Sequence, residues 1–360
     1  MNREEIRRRL DPETSGPAED LRRAADAVRA ATVGDEVHLR GLIEVSNHCV
    51  RRCAYCGISL HNAYLPRYRM GANEILEGAL KALQFGYGTV VLQAGEDPGL
   101  SRRFVAEVIR RLRGETGLAV TLSLGERDPA DLKAWREAGA DRYLLKFETS
   151  APLLYAAIHP PREGADIHRS EWVRILEDQG YEVGTGILVG LPGQSLHSLA
   201  EDLELLADLD PDMVATGPYL PHPETPLARS PALPPVPPGA LRDLCLRVLA
   251  LTRILLPEAN IPSTTALSTL DPLRGLELGL RWGANVVMPD LTPERYRRFY
   301  AIYPGRRVSG EWDRESHEAL LDLLGRLGRR PGKGPGARHR SAPPSPPRRS
   351  PPPALPPSPL

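Results

Sequence analysis

Short apolar, β-branched runs recur along this chain near 39–45, 89–93, 119–124, 142–147, 184–189, 213–216, 263–266 and 285–288, and amphipathic helical patterns separate them. Strands joined through a helix run parallel, because the crossover returns the chain to the end from which it started. The helical patterns fall at 72–85, 102–113, 129–137, 170–179, 197–208 and 240–256, with a further one at 19–31 ahead of the first strand. Eight such strands predict an α/β fold of the (β/α)8 TIM-type barrel class. A doubly wound open sheet is the alternative, but no dinucleotide-binding glycine fingerprint follows the first strand. At 360 residues with 41% hydrophobic content, the chain is long enough to bury a barrel core.

The expected organisation is an N-terminal helical extension over 1–34, the barrel over 35–328 and a Pro-rich low-complexity tail over 329–360. Residues 1–15, broken by Pro12 and charged throughout, are expected to be poorly ordered, as is the tail from Gly332, whose proline density forbids helix and sheet. Residues 331–360 hold 12 prolines, five Lys or Arg and no acid. The overall balance of 46 basic and 46 acidic residues therefore conceals a net formal charge of −5 over 1–330. That value favours a small-molecule substrate over nucleic acid or an anionic membrane. No run approaches the ~20 apolar residues of a membrane span, no secretory leader opens the sequence, and a cytoplasmic setting is expected.

Immediately after the first expected strand stands Asn47-His48-Cys49-Val50-Arg51-Arg52-Cys53-Ala54-Tyr55-Cys56-Gly57. Three thiolates within eight residues can curl around one polynuclear centre and supply soft ligands suited to iron–sulfur chemistry or zinc. Cys245 is the only other cysteine, and its apolar helical setting reads as a buried small hydrophobe. A cubane held by Cys49, Cys53 and Cys56 alone keeps one iron without a cysteine ligand, open to the amino and carboxylate groups of a small molecule. A structural zinc site completed by His48 or His61 is the bland competitor, but zinc knuckles use paired cysteine spacings and no second pair exists. An iron–sulfur electron carrier would want a fourth thiolate and no barrel.

In a parallel barrel the reactive groups gather at the C-terminal strand ends. Gly95 and Glu96 follow the second strand, where glycine permits close backbone approach and the acid can accept an ammonium. Thr121 and Ser123 share one side of the third strand by its period of two. Lys146 and Glu148 share a face at the end of the fourth, able to pair with each other or with a zwitterion. Thr264, Thr265 and Met288 complete the rim, although Met288 also reads as core filler.

The cysteine loop, with Tyr55 before its last cysteine, resembles the signature of the radical S-adenosylmethionine (SAM) superfamily. Longer segments, including 91–98, 121–126, 138–145, 189–194, 217–223, 251–257 and 283–289, resemble the HydE family of FeFe-hydrogenase maturases, and the likeness covers about 35–325. It implies a barrel related to biotin synthase, one [4Fe-4S] cluster with a non-cysteine-ligated iron, and SAM as cosubstrate, cleaved reductively to a 5′-deoxyadenosyl radical. By motif position it implies cofactor-binding roles for Tyr55, Gly95, Glu96, Glu148 and Arg169, and a substrate cavity lined by Thr264, Thr265, Met288 and Tyr303 together with Thr121 and Ser123. It further implies an organometallic substrate, a cysteine-bound Fe(CO)2(CN) precursor, with the HydG and HydF maturases as partners and an external electron donor. Many chains of that family carry three further cysteines near the C-terminus; here 302–330 has none, so a second cluster is not expected. A radical mutase resembling 3-methylornithine synthase shares the barrel and cluster, whereas a biotin synthase lacks support because no cysteine set remains for a sulfur-donating cluster.

Overall fold

The computed structural model describes residues 1–161, 167–230, 236–305 and 312–340. Its strands are β1 (Glu36–Ser46), β2 (Thr89–Ala94), β3 (Ala119–Ser123), β4 (Arg142–Leu144), β5 (Glu182–Val189), β6 (Met213–Pro218), β7 (Val286–Val287) and β8 (Arg330–Pro331). All pairings are parallel, in the order β6-β5-β4-β3-β2-β1-β7, with β8 added to β1.

This arrangement corrects the expectation of a closed (β/α)8 barrel: the sheet is open and curled. The run at 263–266, read as a strand from its β-branched residues, is a helix start. The Thr264 hydroxyl accepts from the Leu267 N–H at 3.3 Å and caps the helix Thr265–Leu270. Serine and threonine favour such caps because their oxygen replaces a missing backbone acceptor. The extended residues just before it make only single bridges, Asn260 to Met213 and Pro262 to Val286. Pro262 has no N–H to continue a ladder. No strand ladder therefore joins β7 back to β6 among the described residues.

Helices cover the outer face of the sheet as the periodicity predicts. Ala72–Gln84, Arg102–Thr116, Pro129–Glu137, Leu196–Leu209 and Pro238–Leu255 bury their apolar stripes in one core that includes Trp135, Tyr143 and Phe147. Cys245 lies in that core, 4% exposed, and burial pushes its thiol up. Cys245→Ala is expected to cost ~1–2 kcal/mol through the space it leaves, measured by denaturant unfolding, with metal content unchanged. Among the described residues no helix is long and apolar enough to cross a membrane.

Both ends are more structured than their composition suggested. Residues Arg3–Leu10 form a helix that buries Ile6 and Leu10, spaced one turn apart, while Arg3 pairs with Glu201 and Glu204 at 2.8 and 2.6 Å. The stretch 330–340, assigned to the tail by its Gly and Pro content, crosses the N-terminal end of the sheet. Arg40 and Asn260 donate to the Gly336 carbonyl at 3.0 and 3.1 Å, and Arg338 and Arg340 clamp onto Asp210 and Asp212. The remaining expected tail, 341–360, lies outside the described residues.

A buried carboxylate fixes the loops after β4 and β5. Asp202 Oδ1 accepts from the Ser150 N–H at 2.5 Å, the Ser150 hydroxyl at 2.6 Å and the Thr149 hydroxyl at 3.2 Å, and Gln194 Nε2 donates to Oδ2 at 3.3 Å. Burial outweighs these bonds and pushes its carboxyl up to about 6. A raised folded-state value means the native protein holds this proton more tightly than the unfolded chain, so the contribution is full below the unfolded value and is lost as pH rises through about 6. The stability of the native chain relative to Asp202→Asn is expected to fall by about 2 kcal/mol between pH 4 and 7. Denaturant unfolding of both proteins across that range checks it; a pH-independent difference contradicts it.

Candidate active site

The cysteine loop leaves β1 at an irregularity in its pairing with β2, between Glu44 and Ser46. Asn47 begins the turn: its amide donates to the Pro66 and Phe299 carbonyls at 2.8 and 2.7 Å, and its oxygen accepts from the Tyr68 N–H at 2.7 Å. Arg67 then fills the inside of the loop, donating to the carbonyls of Asn47, Ile58, Ser59 and Asn62 at 2.6–3.1 Å. One side chain thus serves four carbonyls of the loop, of which the Ser59 carbonyl also accepts from the Asn62 N–H at 3.1 Å. Asp97, held by Arg69 at 2.6 and 2.8 Å and by Ser46 at 2.6 Å, ties the loop to the end of β2.

Two glycines make the approach possible. A Cβ on Gly95 would lie 2.4 Å from the His48 carbonyl and 2.7 Å from Cys49 Cβ, so the cysteine loop rests directly on the end of β2. Gly125, at φ +77°, would carry a Cβ 1.9 Å from Glu96 Cγ. Glycine alone fits both the backbone conformation and the space.

The three thiols face one cavity of about 300 Å³ at the C-terminal ends of the strands. Burial raises all three, Cys56 to about 12. They are held protonated until a metal centre displaces the protons, since only the thiolate ligates. Among the described residues no three His, Cys, Asp or Glu side chains converge closely enough to enclose a single metal ion. An all-sulfur donor set spread along one cavity wall suits a polynuclear iron–sulfur centre.

Beside the thiols lies a buried network of two arginines and two glutamates, with Arg51 itself part of the cysteine loop. Arg169 donates to Glu96 Oε1 at 2.5 Å and to Glu126 Oε1 at 2.7 Å, and Arg51 stands 3.8 Å from Glu96 Oε2 and 3.6 Å from Glu126 Oε2. Burial alone would raise the Glu126 carboxyl, but its buried polar surroundings, the His159 ring and the charges of Arg169 and Arg51, hold it well below the usual range. Glu96 is raised, because burial outweighs the pull of Arg169 and Glu126 adds repulsion. Glu96 Oε2 and Arg51 Nη1 are buried without a hydrogen-bond partner, an acceptor and a donor on residues that line the cavity.

Glu148 sits at φ +70°, a left-handed conformation costing a non-glycine residue of order 1–3 kcal/mol. Its backbone is locked by a bond to Gly186 O at 3.0 Å and from Leu188 N at 2.9 Å. The side chain accepts from Tyr55 OH at 3.2 Å and pairs with Lys146 at 2.9 Å, the pairing that strand alternation allowed.

Of the residues expected from sequence, Tyr55, Gly95, Glu96, Ser123, Glu148, Arg169, Thr264, Thr265, Met288 and Tyr303 line the same cavity as the three cysteines. Thr121 does not. It shares the inward side of β3 with Ser123 but lies two residues deeper, beside Arg40 and Arg142. Period two fixes which side a residue faces, not how far along the axis it stands. Arg51, Glu126 and His159 were not singled out. His159 Nδ1 lies 3.0 Å from Cys53 Sγ, and its Nε2 lies 2.5 Å from Arg51 Nη2 and 3.2 Å from Glu126 Oε1. Burial and the Arg169 charge push its imidazole down to about 3. Nothing local in Ala157-Ile158-His159-Pro160 marks that role; the backbone bond from Ala54 N to Ile158 O, 2.8 Å, brings it to the loop.

A parallel curled sheet with three thiols after its first strand defines the radical SAM class, and the model of the radical SAM superfamily matches residues 43–206. Two solved structures share the fold. The crystal structure of methylornithine synthase (PylB) superposes with a TM-score of 0.73 at 28% identity, covering 92% of this chain and 94% of that one. The FeFe-hydrogenase maturase HydG from Carboxydothermus hydrogenoformans superposes at 0.75 with 20% identity, covering 92% and 76%. The [FeFe] hydrogenase maturase subunit HydE of Thermotoga maritima is 44% identical over 340 residues, 94% of each chain. The chain is thus a radical SAM enzyme and belongs to the HydE family.

Proposed function

We propose that this enzyme is a hydrogenase maturase: it reductively cleaves SAM and directs the resulting radical onto a cysteine-bound Fe(CO)2(CN) precursor during assembly of the FeFe-hydrogenase H-cluster. The observation that carries the reading is the full-length 44% identity to a HydE, combined with a cavity that gathers three thiols and a zwitterion-sized set of charges. Cys49, Cys53 and Cys56 would hold one [4Fe-4S] cluster, which when bound supplies the electron for SAM cleavage and an open iron for the methionine end.

The chain's own groups do the rest. Glu96 Oε2, buried and without a hydrogen-bond partner, accepts an ammonium beside the Gly95 backbone; Arg169 and Arg51 face the matching carboxylate. Tyr55 and Lys146 hold Glu148 toward the cavity to orient the cosubstrate. Thr264, Thr265, Met288, Ser123 and Tyr303 enclose the substrate end. Apolar walls such as Leu144, Leu145 and Leu188 keep the site dry, which a primary carbon radical needs. HydG as supplier of the precursor, HydF as its acceptor and a low-potential external donor are the partners this chemistry requires; a cytoplasmic, reducing setting suits its free thiols.

A mutase acting on lysine is the second reading, supported by the likeness to methylornithine synthase. Anaerobic reconstitution tests both: about four irons per chain and 5′-deoxyadenosine only on reduction with SAM are expected, with no rearranged lysine. Lysine rearrangement would establish the mutase, and bound zinc without cleavage would remove the enzyme assignment.

A further inference from the structure

His159 is an unusual neighbour for a metal-binding loop because both ring nitrogens are committed. It is 1% exposed, Nδ1 stands 3.0 Å from Cys53 Sγ, and Nε2 stands 2.5 Å from Arg51 Nη2. Nε2 also lies 3.2 Å from Glu126 Oε1, but it cannot both accept from a guanidinium, which only donates, and donate to a carboxylate, which only accepts; the much closer Arg51 contact makes Nε2 the accepting nitrogen and leaves the ring proton on Nδ1. A ligating Cys53 is a thiolate and can only accept. The sequence of donors and acceptors therefore has one consistent direction: Arg51 donates to His159, and His159 donates to the Cys53 sulfur.

We infer that His159 is a potential-setting residue, donating its Nδ1 hydrogen to the Cys53 thiolate with its tautomer fixed by Arg51. This rests on the iron–sulfur reading above. Hydrogen bonds to ligating sulfurs draw negative charge from the cluster, and outer partners of this kind tune both ligand basicity and potential. The reduced cluster carries the extra negative charge, so it gains more from the bond than the oxidised cluster does, and the potential rises. In the one-electron step the external donor is oxidised, the iron–sulfur unit is reduced, and His159 neither gains nor loses its proton.

The position is built rather than incidental. His159 follows the helix Pro152–Ile158, its N–H returns to the Tyr155 carbonyl at 2.8 Å, and the Tyr155 ring packs 5.3 Å from the imidazole. The neighbouring Ile158 carbonyl accepts from the Ala54 N–H at 2.8 Å, so the histidine is stapled by backbone to the residue after Cys53.

Redox titration of the reconstituted full-length protein without SAM, followed by EPR of the reduced cluster and with iron content measured in parallel, tests the assignment. His159→Leu is expected to shift the reduction equilibrium about tenfold toward the oxidised cluster, equivalent to ~59 mV for one electron. His159→Asn, whose amide nitrogen replaces Nδ1, is expected to keep the wild-type potential. Equal potentials in all three proteins at full iron content would overturn the inference while leaving the cluster assignment standing. A wild-type protein that binds no cluster would overturn both. Wild-type protein labelled with [15N]histidine needs no substitution: its reduced cluster should show a weak 15N coupling in pulsed EPR, and absence of that coupling would equally refute the bond.

Discussion

Cys49→Ala is expected to abolish reductive SAM cleavage and to leave the chain unable to hold a full complement of iron. Cys49, Cys53 and Cys56 are the entire set of thiols at the cavity, because Cys245 is buried in the core away from it. With one removed, two cysteines remain at the cavity to hold the cluster. Cys49 is also the sulfur against the end of β2, 2.7 Å from where a Gly95 Cβ would lie, and it receives the Arg51 N–H at 3.4 Å. Iron analysis and 5′-deoxyadenosine formation, measured together on the reconstituted variant, check this. Retention of four irons with undiminished cleavage would mean that other residues hold the cluster.

Arg169→Met is expected to destabilise the protein by ~3–5 kcal/mol at pH 7, because one substitution strips the shared cation from two buried carboxylates. Glu96 and Glu126 would then face each other with only Arg51 nearby, at 3.8 and 3.6 Å. Arginine is needed because its planar fork reaches both acids at once, at 2.5 and 2.7 Å. The pH dependence has a definite sign. In the native protein Glu126 is held low, so its stabilising contribution is present above the unfolded carboxylate value and is lost as pH falls through the folded one. In the variant the exposed repulsion is relieved by protonation, so the gap between the two proteins should narrow from pH 7 toward pH 4. Denaturant midpoints across that range read the effect. A gap that widens in acid would show that the network is not organised around Arg169.

The cysteine loop was legible because its spacing narrows the chemistry to a metal centre and its neighbouring residues carry the family resemblance, and the parallel pairing of the first six strands followed from the helices between them. The rim at Gly95, Glu96, Lys146 and Glu148 followed from strand ends and period two. What escaped has physical reasons. Thr264 and Thr265 read as strand from β-branching, whereas the hydroxyl of Thr264 makes it a helix cap, and Pro262 just before it denies the sheet a ladder, so the barrel stays open. Thr121 was placed on the right side of β3 at the wrong depth. His159 lies 106 residues from the sulfur it touches, with no spacing to announce it. The stretch 330–340 looks structureless in composition because its order comes from carbonyls taken by Arg40 and Asn260 and from two arginines meeting Asp210 and Asp212, none of which a local pattern encodes.

Cleavage of SAM alone would leave maturase and mutase undivided, so the decisive measurement is hydrogenase activation in a defined anaerobic mixture of apo-hydrogenase, HydG, HydF, SAM, reductant and this protein. The account predicts hydrogen evolution that depends on this chain, is lost with Cys49→Ala and persists with Cys245→Ala. A reconstituted chain that cleaves SAM in that mixture yet yields no active hydrogenase would contradict it.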